Sequence, residues 1–124
     1  MSAATPTVLI WTGLLLTPVM ISLGQVLFKL AGGRIDERDA TGVMGVLHTL
    51  LDPFLLVALA IYGSATILWI YVLRHVPLSQ AYPFMALSFV LVPLASWLFF
   101  GETLGLRYWV GAGLLLGGMV VMNT

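Results

Sequence analysis

The chain has 124 residues, 60% of them hydrophobic and 8% charged, with five Lys/Arg balanced by five Asp/Glu and no cysteine. A water-soluble domain of this size could not carry so apolar a surface, so the composition defines an integral membrane protein, and the length of its apolar runs makes it all-α. Zero net charge leaves no basic face for nucleic acid, and the lack of cysteine excludes disulfides, thiolate chemistry and sulfur-ligated metals.

Crossing about 30 Å of hydrocarbon takes roughly 20 apolar residues in a helix. The first such run predicts a transmembrane helix over residues 8–31. No Lys or Arg precedes it, it exceeds the apolar core of a secretion signal, and no small-residue cleavage pattern follows, so it is read as a permanent span. Pro18 removes one backbone hydrogen bond in mid-run and is expected to bend the helix. Beyond it, Ser22, Gln25 and Lys29 recur at i, i+3 and i+7 and share one face. Gly32 and Gly33 are expected to end the helix, with Arg34–Asp39 as a solvent loop. Residues 41–51 have the spacing of an amphipathic helix too short to span, which predicts a segment lying along the membrane interface.

Asp52 followed by Pro53 reads as an N-cap and a first-turn proline, opening a second span over 53–73. Its Tyr62, Thr66 and Trp69 fall on one face, whose donors want partners inside a bundle; Trp69 and Tyr71 can equally serve as interfacial belt residues near Arg74. The third span is predicted over 79–100, with Ser79 as N-cap, Pro83 harmless in the first turn and Pro93 as a kink. The fourth, over 106–122, carries Gly111, Gly113, Gly117 and Gly118. Gly113 and Gly117 make a GxxxG that lets another helix approach closely, either within the bundle or between subunits. The whole is one four-span domain. Arg34, Arg38 and Arg107 on one side against Arg74, with His75 beside it, on the other favour both termini on the outer side, while the small counts and flanking acids leave either orientation, or both in one population, open.

No Asp or Glu lies within the four predicted cores, which disfavours proton coupling through a membrane-embedded carboxylate. Lys29 has two readings: its stem snorkels to the headgroups, or its ammonium is held at headgroup depth to bind a phosphate, with Gln25 and Ser22 beside it. Glu102, on the same side, is the available intramolecular partner, although a glutamate there can instead be solvated or cap the fourth helix. Tyr62, Trp69 and Tyr82 are candidate cavity residues as a set, with packing or belt positions as the alternative. No nucleotide loop, metal-ligand cluster or nucleophile with its base appears, so no catalytic residue, metal or cofactor is predicted. Four helices enclose little space for a transport pathway, which argues for a dimer.

These residues carry a pattern. Gly24-Gln25 with Lys29, Trp69, the run Val76–Pro83 (VPLSQAYP), Ser88-Phe89-Val90, Glu102, Trp109-Val110-Gly111 and Gly117-Gly118 together resemble the four-helix members of the drug/metabolite transporter superfamily, the small multidrug-resistance and EamA-like proteins. Within it the resemblance is closest to the flippase subunits for aminoarabinose undecaprenyl phosphate. It implies a carrier of a polyprenyl-phosphate-linked sugar between leaflets of the bacterial inner membrane, working as a homodimer or as a heterodimer with a related four-helix subunit. Carried over by residue, Lys29 would pair with the lipid phosphate beside Gln25 and Ser22, Trp69 and Tyr82 would line the headgroup cavity, and Glu102 would meet an amino sugar or Lys29. The drug-exporting branch has a proton-binding glutamate three residues before the glycine matching Gly24; here that position is Ile21. The alternative function, a proton-coupled exporter of quaternary ammonium compounds, would therefore have to rely on Glu102.

Overall fold

The computed structural model describes residues 7–37 and 42–124. All its regular structure is helical: α1 (Thr7–Glu37), α2 (Gly42–Leu50), α3 (Pro53–His75), α4 (Leu78–Ala81), a 3-10 segment (Tyr82–Leu87), α5 (Ser88–Phe100) and α6 (Leu106–Met122). Three stretches are long and apolar enough to cross a membrane, Thr7–Arg34, Pro53–His75 and the composite Leu78–Phe100; α6 is apolar but shorter. Large apolar side chains face outward along every one of them, including Leu15, Leu23, Ile67, Ile70, Leu98 and Leu114. A surface of that kind is stable against lipid and not against water.

α1 and α3 form the tightest pair, and glycine sets their separation. A methyl group built on Gly13 would collide with Val72, and one built on Gly24 would collide with the Tyr62 ring. On α3 the buried positions are Ala58, Ala65 and Val72, one residue per heptad, so small side chains run down the seam. The two helices are antiparallel in register: Gly13 meets Val72, Gly24 meets Tyr62, and Arg34 reaches Asp52. The buried hydroxyls of Thr17 and Ser22 donate to the carbonyls of Gly13 and Pro18, each at 2.7 Å, so the seam leaves them satisfied by their own helix.

The N-terminal end of α1 packs into an apolar cluster of Ile10, Leu14, Val72, Ala81 and Phe84, flanked by Trp69, Leu73, Val76, Leu87 and Met119. Trp11 meets Phe84 edge to face at 5.8 Å. α6 joins the bundle mainly against the 3-10 segment, burying Ala112.

Three expectations are corrected. α1 does not stop at Ala31 but runs through Gly32 and Gly33 to Glu37. Each glycine costs a helix about 1 kcal/mol, and the extension is held by Arg34, whose Nε lies 2.7 Å from Asp52 Oδ2 while its guanidinium sits 5.2 Å from the Phe54 ring centroid. Arg34 to Glu37 are thus helical, while Arg38 and Asp39 lie outside the described residues, as does Thr41 at the start of the expected amphipathic segment. Second, α3 continues two residues past Leu73, to His75. Third, the span expected as one helix from Ser79 is not uniform. Pro77 is the N-cap, Ser79 lies inside α4, and the chain tightens to 3-10 winding over Tyr82–Leu87. Pro83 accounts for this: it has no N–H for a bond four residues back, and its ring crowds the carbonyl of Ser79.

The Asp52 cap is as expected, its Oδ1 accepting from the Phe54 N–H at 2.9 Å with Pro53 at the first helical position. α1 and α5 continue as helix through Pro18 and Pro93. Gly111, Gly113, Gly117 and Gly118 have no neighbour within 4 Å of an added methyl group, so none serves the within-chain contact that was one of their two readings.

The seam predicts a contrast between glycines. Gly13→Ala should overpack fully buried Val72 and destabilise the chain by about 1–3 kcal/mol, whereas Gly117→Ala should leave its intrinsic stability within about 1 kcal/mol. Thermal unfolding of the two variants in detergent, under conditions where the protein is monomeric, measures the difference.

Candidate functional site

On the side of α1 away from the apolar cluster, a groove opens between α1 and α5. Its charged half, about 380 Å³, is lined by Gln25, Val26, Phe28, Lys29, Val92, Ser96, Phe100 and Glu102. A second hollow of about 270 Å³ shares Gln25 and Val92 and continues past Ile21, Ser88, Phe89, Pro93 and Tyr108. The groove is polar at one end and largely apolar along its length. A further hollow of about 360 Å³ between α5 and α6, lined by Leu94, Trp97, Thr103, Leu104 and Trp109, contains no ionisable side chain.

The polar end is built by one turn. α5 ends at Gly101, whose φ of 65° is the left-handed conformation that suits a residue without Cβ. The reversal lets Glu102 reach back to Ser96, whose hydroxyl donates to Oε2, while Oε1 accepts from Lys29 Nζ at 2.5 Å. The Lys29 ammonium also lies 5.5 Å from the Phe100 ring centroid. One helical turn earlier, Gln25 Nε2 donates to Tyr62 Oη at 2.5 Å, and Tyr62 stacks at a tilt on Phe28 with ring centroids 5.0 Å apart. The donation from Lys29 and then that from Ser96 hold the Glu102 carboxyl below the usual carboxylate range, with desolvation opposing them. With side chains 57% and 42% exposed, the ion pair is screened and adds little to folding; its charges remain reachable.

The structure brings four of the sequence-derived candidates together, Gln25, Lys29, Tyr62 and Glu102. Glu102 is the partner of Lys29 and not the cap of α6, whose N-cap is Gly105 with no side-chain bond. Ser22 shares their helix face but is buried and bonded to its own backbone. Thr66 likewise donates to the Tyr62 carbonyl and faces outward. Trp69 packs against the apolar cluster, and Tyr82 is 64% exposed in the 3-10 segment, so neither lines this groove. Ser96 and Phe100 were missed. A polar residue in an otherwise apolar run, six before the acid with a glycine between, was the available signal.

Apolar helices of crossing length around a groove with a reachable charge pair define a polytopic membrane protein of the carrier type. The chain belongs to the EamA-like transporter family, which it matches over residues 2–124. It is 43% identical over 77 residues, 57% of this chain and 68% of the relative, to the probable 4-amino-4-deoxy-L-arabinose-phosphoundecaprenol flippase subunit ArnE of Aeromonas salmonicida. Proteins of the same name from Salmonella heidelberg and Salmonella typhimurium are 34% identical over 109 residues, 85% of this chain and 98% of each relative. No solved structure matches the chain.

Because the folded carboxyl of Glu102 titrates below its unfolded value, the unfolded state binds the proton first as pH falls. The pair's stabilisation is therefore complete above the ordinary carboxylate range and is lost as pH falls through the depressed folded value. Unfolding of wild type and Glu102→Gln, followed from about pH 7 to about pH 3, should give a small stability difference that persists above the unfolded value, narrows below it and is gone once pH passes below the folded value. A difference that instead grows as pH falls would contradict the assignment.

Proposed function

We propose that this chain is a subunit of a flippase that moves a polyprenyl-phosphate-linked sugar, such as aminoarabinose undecaprenyl phosphate, between leaflets of the bacterial inner membrane. The observation that carries the proposal is the reachable ammonium of Lys29 at the polar end of a groove whose remaining length is largely apolar. Family membership and the names of the relatives support it. The headgroup occupies the polar end, with its phosphate on Lys29 and sugar hydroxyls near Gln25 and Tyr62. The polyprenyl tail stays in lipid beside Ile21, Phe89, Val92 and Pro93.

In this reading α6 is the fourth span. Its 17 residues rise about 26 Å, at the short end of what crosses a bilayer. α2, with Val43, Met44, Val46, Leu47 and Leu50 exposed, lies along the interface. α1 and α5, with Tyr108 of α6, wall the groove on one side only, so a second four-helix subunit, identical or related, completes the pathway, and the unpartnered glycines of α6 give it a surface to approach. The rival reading, proton-coupled export of cations, needs a carboxyl poised near neutral pH. Glu102 is held the other way, ionised by Lys29 and Ser96.

Translocation of a synthetic polyprenyl-phosphate sugar in liposomes containing the purified protein tests the proposal. Wild type should move the lipid, and Lys29→Ala should slow the movement by about tenfold or more, the loss of one charge-assisted contact. Quaternary ammonium exchange under a pH gradient, without lipid movement by correctly folded protein, would favour the exporter instead.

A further inference from the structure

α6 is held chiefly against the 3-10 segment, and beside α5 it leaves a hollow of about 380 Å³ lined by Phe89, Arg107, Tyr108, Gly111, Ala112 and Leu115. Phe89 and Tyr108 also line the apolar part of the groove, so the two spaces adjoin. Arg107 belongs to the first turn of α6, and Leu115 lies about 12 Å further along the axis at 1.5 Å per residue. The hollow therefore has a guanidinium at one end and an apolar bed beyond it. Among the described residues Arg107 makes no hydrogen bond, ion pair or ring contact, whereas Lys29 and Arg34 each hold a carboxylate. A cation at the end of a membrane helix with no acid beside it is matched by an anion from outside the chain.

The hollow is also not the face that a partner helix would take. At about 100° per residue, Arg107, Tyr108, Gly111, Ala112 and Leu115 occupy one side of α6, and Gly113 and Gly117 stand on the opposite side. A helix drawn to that GxxxG pair leaves the hollow uncovered. No atom lies within 4 Å of a methyl group built on Gly111, so the chain does not fill the space itself.

We propose that this hollow is a binding site for an anionic phospholipid of the surrounding bilayer, its phosphate on the Arg107 guanidinium and one acyl chain laid along Gly111 and Leu115. A guanidinium presents parallel N–H donors that fit two phosphate oxygens. The lining contains no carboxylate, so the ammonium of a zwitterionic headgroup finds no partner and sits near a like charge. The site is separate from the Lys29–Glu102 pair and does not depend on what the groove carries. Through Phe89 and Tyr108, the bound lipid borders that groove.

Native mass spectrometry of the full-length protein, delipidated in detergent and titrated with phosphatidylglycerol or with phosphatidylcholine of the same acyl chains, tests the site. Wild type should hold its first phosphatidylglycerol about fivefold more tightly than phosphatidylcholine. Arg107→Gln should bring that ratio near one, while Arg74→Gln, at the other described arginine without a carboxylate, should leave it unchanged. Gly111→Phe, which fills the hollow and keeps the charge, should weaken retention of both lipids, with thermal unfolding confirming that each variant is folded. Equal affinity of wild type for the two lipids, or an equal loss of preference in Arg74→Gln, would overturn the site. So would undiminished lipid retention in Gly111→Phe accompanied by loss of dimers, which would give the hollow to a second subunit.

Discussion

The close approach of α1 and α3 at Gly13 and Gly24 is the constraint on which the other contacts depend. Without side chains at these positions the helices come together until Val72 and the Tyr62 ring fill the space, and that fixes which residue of one helix faces which of the other. The register then delivers Tyr62 to Gln25 near the middle of the pair and Asp52 to Arg34 at its end. Membrane helices gain nothing from hiding apolar surface from lipid, so association of this kind rests on packing and on polar contacts between helices. A shift by one residue would forfeit all of these together.

A second consequence is that α1 is committed on one face and left available on another. The same helix that supplies Gly24 to α3 presents Gln25 and Lys29 to the groove beside α5. A lysine some 12 Å before the end of a helix, by the 1.5 Å rise per residue, is unfavourable in an apolar medium. The structure gives its ammonium a carboxylate from the turn after α5 and the aromatic face of Phe100.

How much of this was legible in the sequence depends on the distance over which each feature is determined. The Asp52 cap, the bounds of α6 and the existence of the apolar spans are set by neighbours within a few residues, and these were readable. Lys29 with Glu102 was readable only as one option, because Asp36, Glu37, Asp39 and Asp52 fall on the same side and nothing local separates an ion-pair partner from a helix cap at position 102. What escaped was set by contacts across the bundle: the persistence of α1 through Gly32 and Gly33, which depends on Arg34 finding Asp52, and the role of Ser96, which depends on the turn at Gly101. Trp69 and Tyr82 were grouped with the site as aromatic residues with polar tips, and by resemblance; Trp69 lies outside the groove because its half of α3 packs with the N-terminal end of α1, and Tyr82 does not line it.

The 3-10 winding of Tyr82–Leu87 has a mechanical meaning. A 3-10 helix rises about 2.0 Å and turns about 120° per residue, against about 1.5 Å and 100° in an α-helix. Rewinding these six residues would draw α4 about 3 Å toward α5 and rotate it by about a third of a turn while preserving a helical hydrogen-bond pattern. Pro83 opposes the change, because it has no N–H to give and crowds the Ser79 carbonyl, although α1 and α5 carry Pro18 and Pro93 inside them. Phe84 lies within this segment and closes the apolar cluster. The same short piece of chain thus sets the rise and turn between α4 and α5 and supplies a ring to the cluster that holds the N-terminal end of α1.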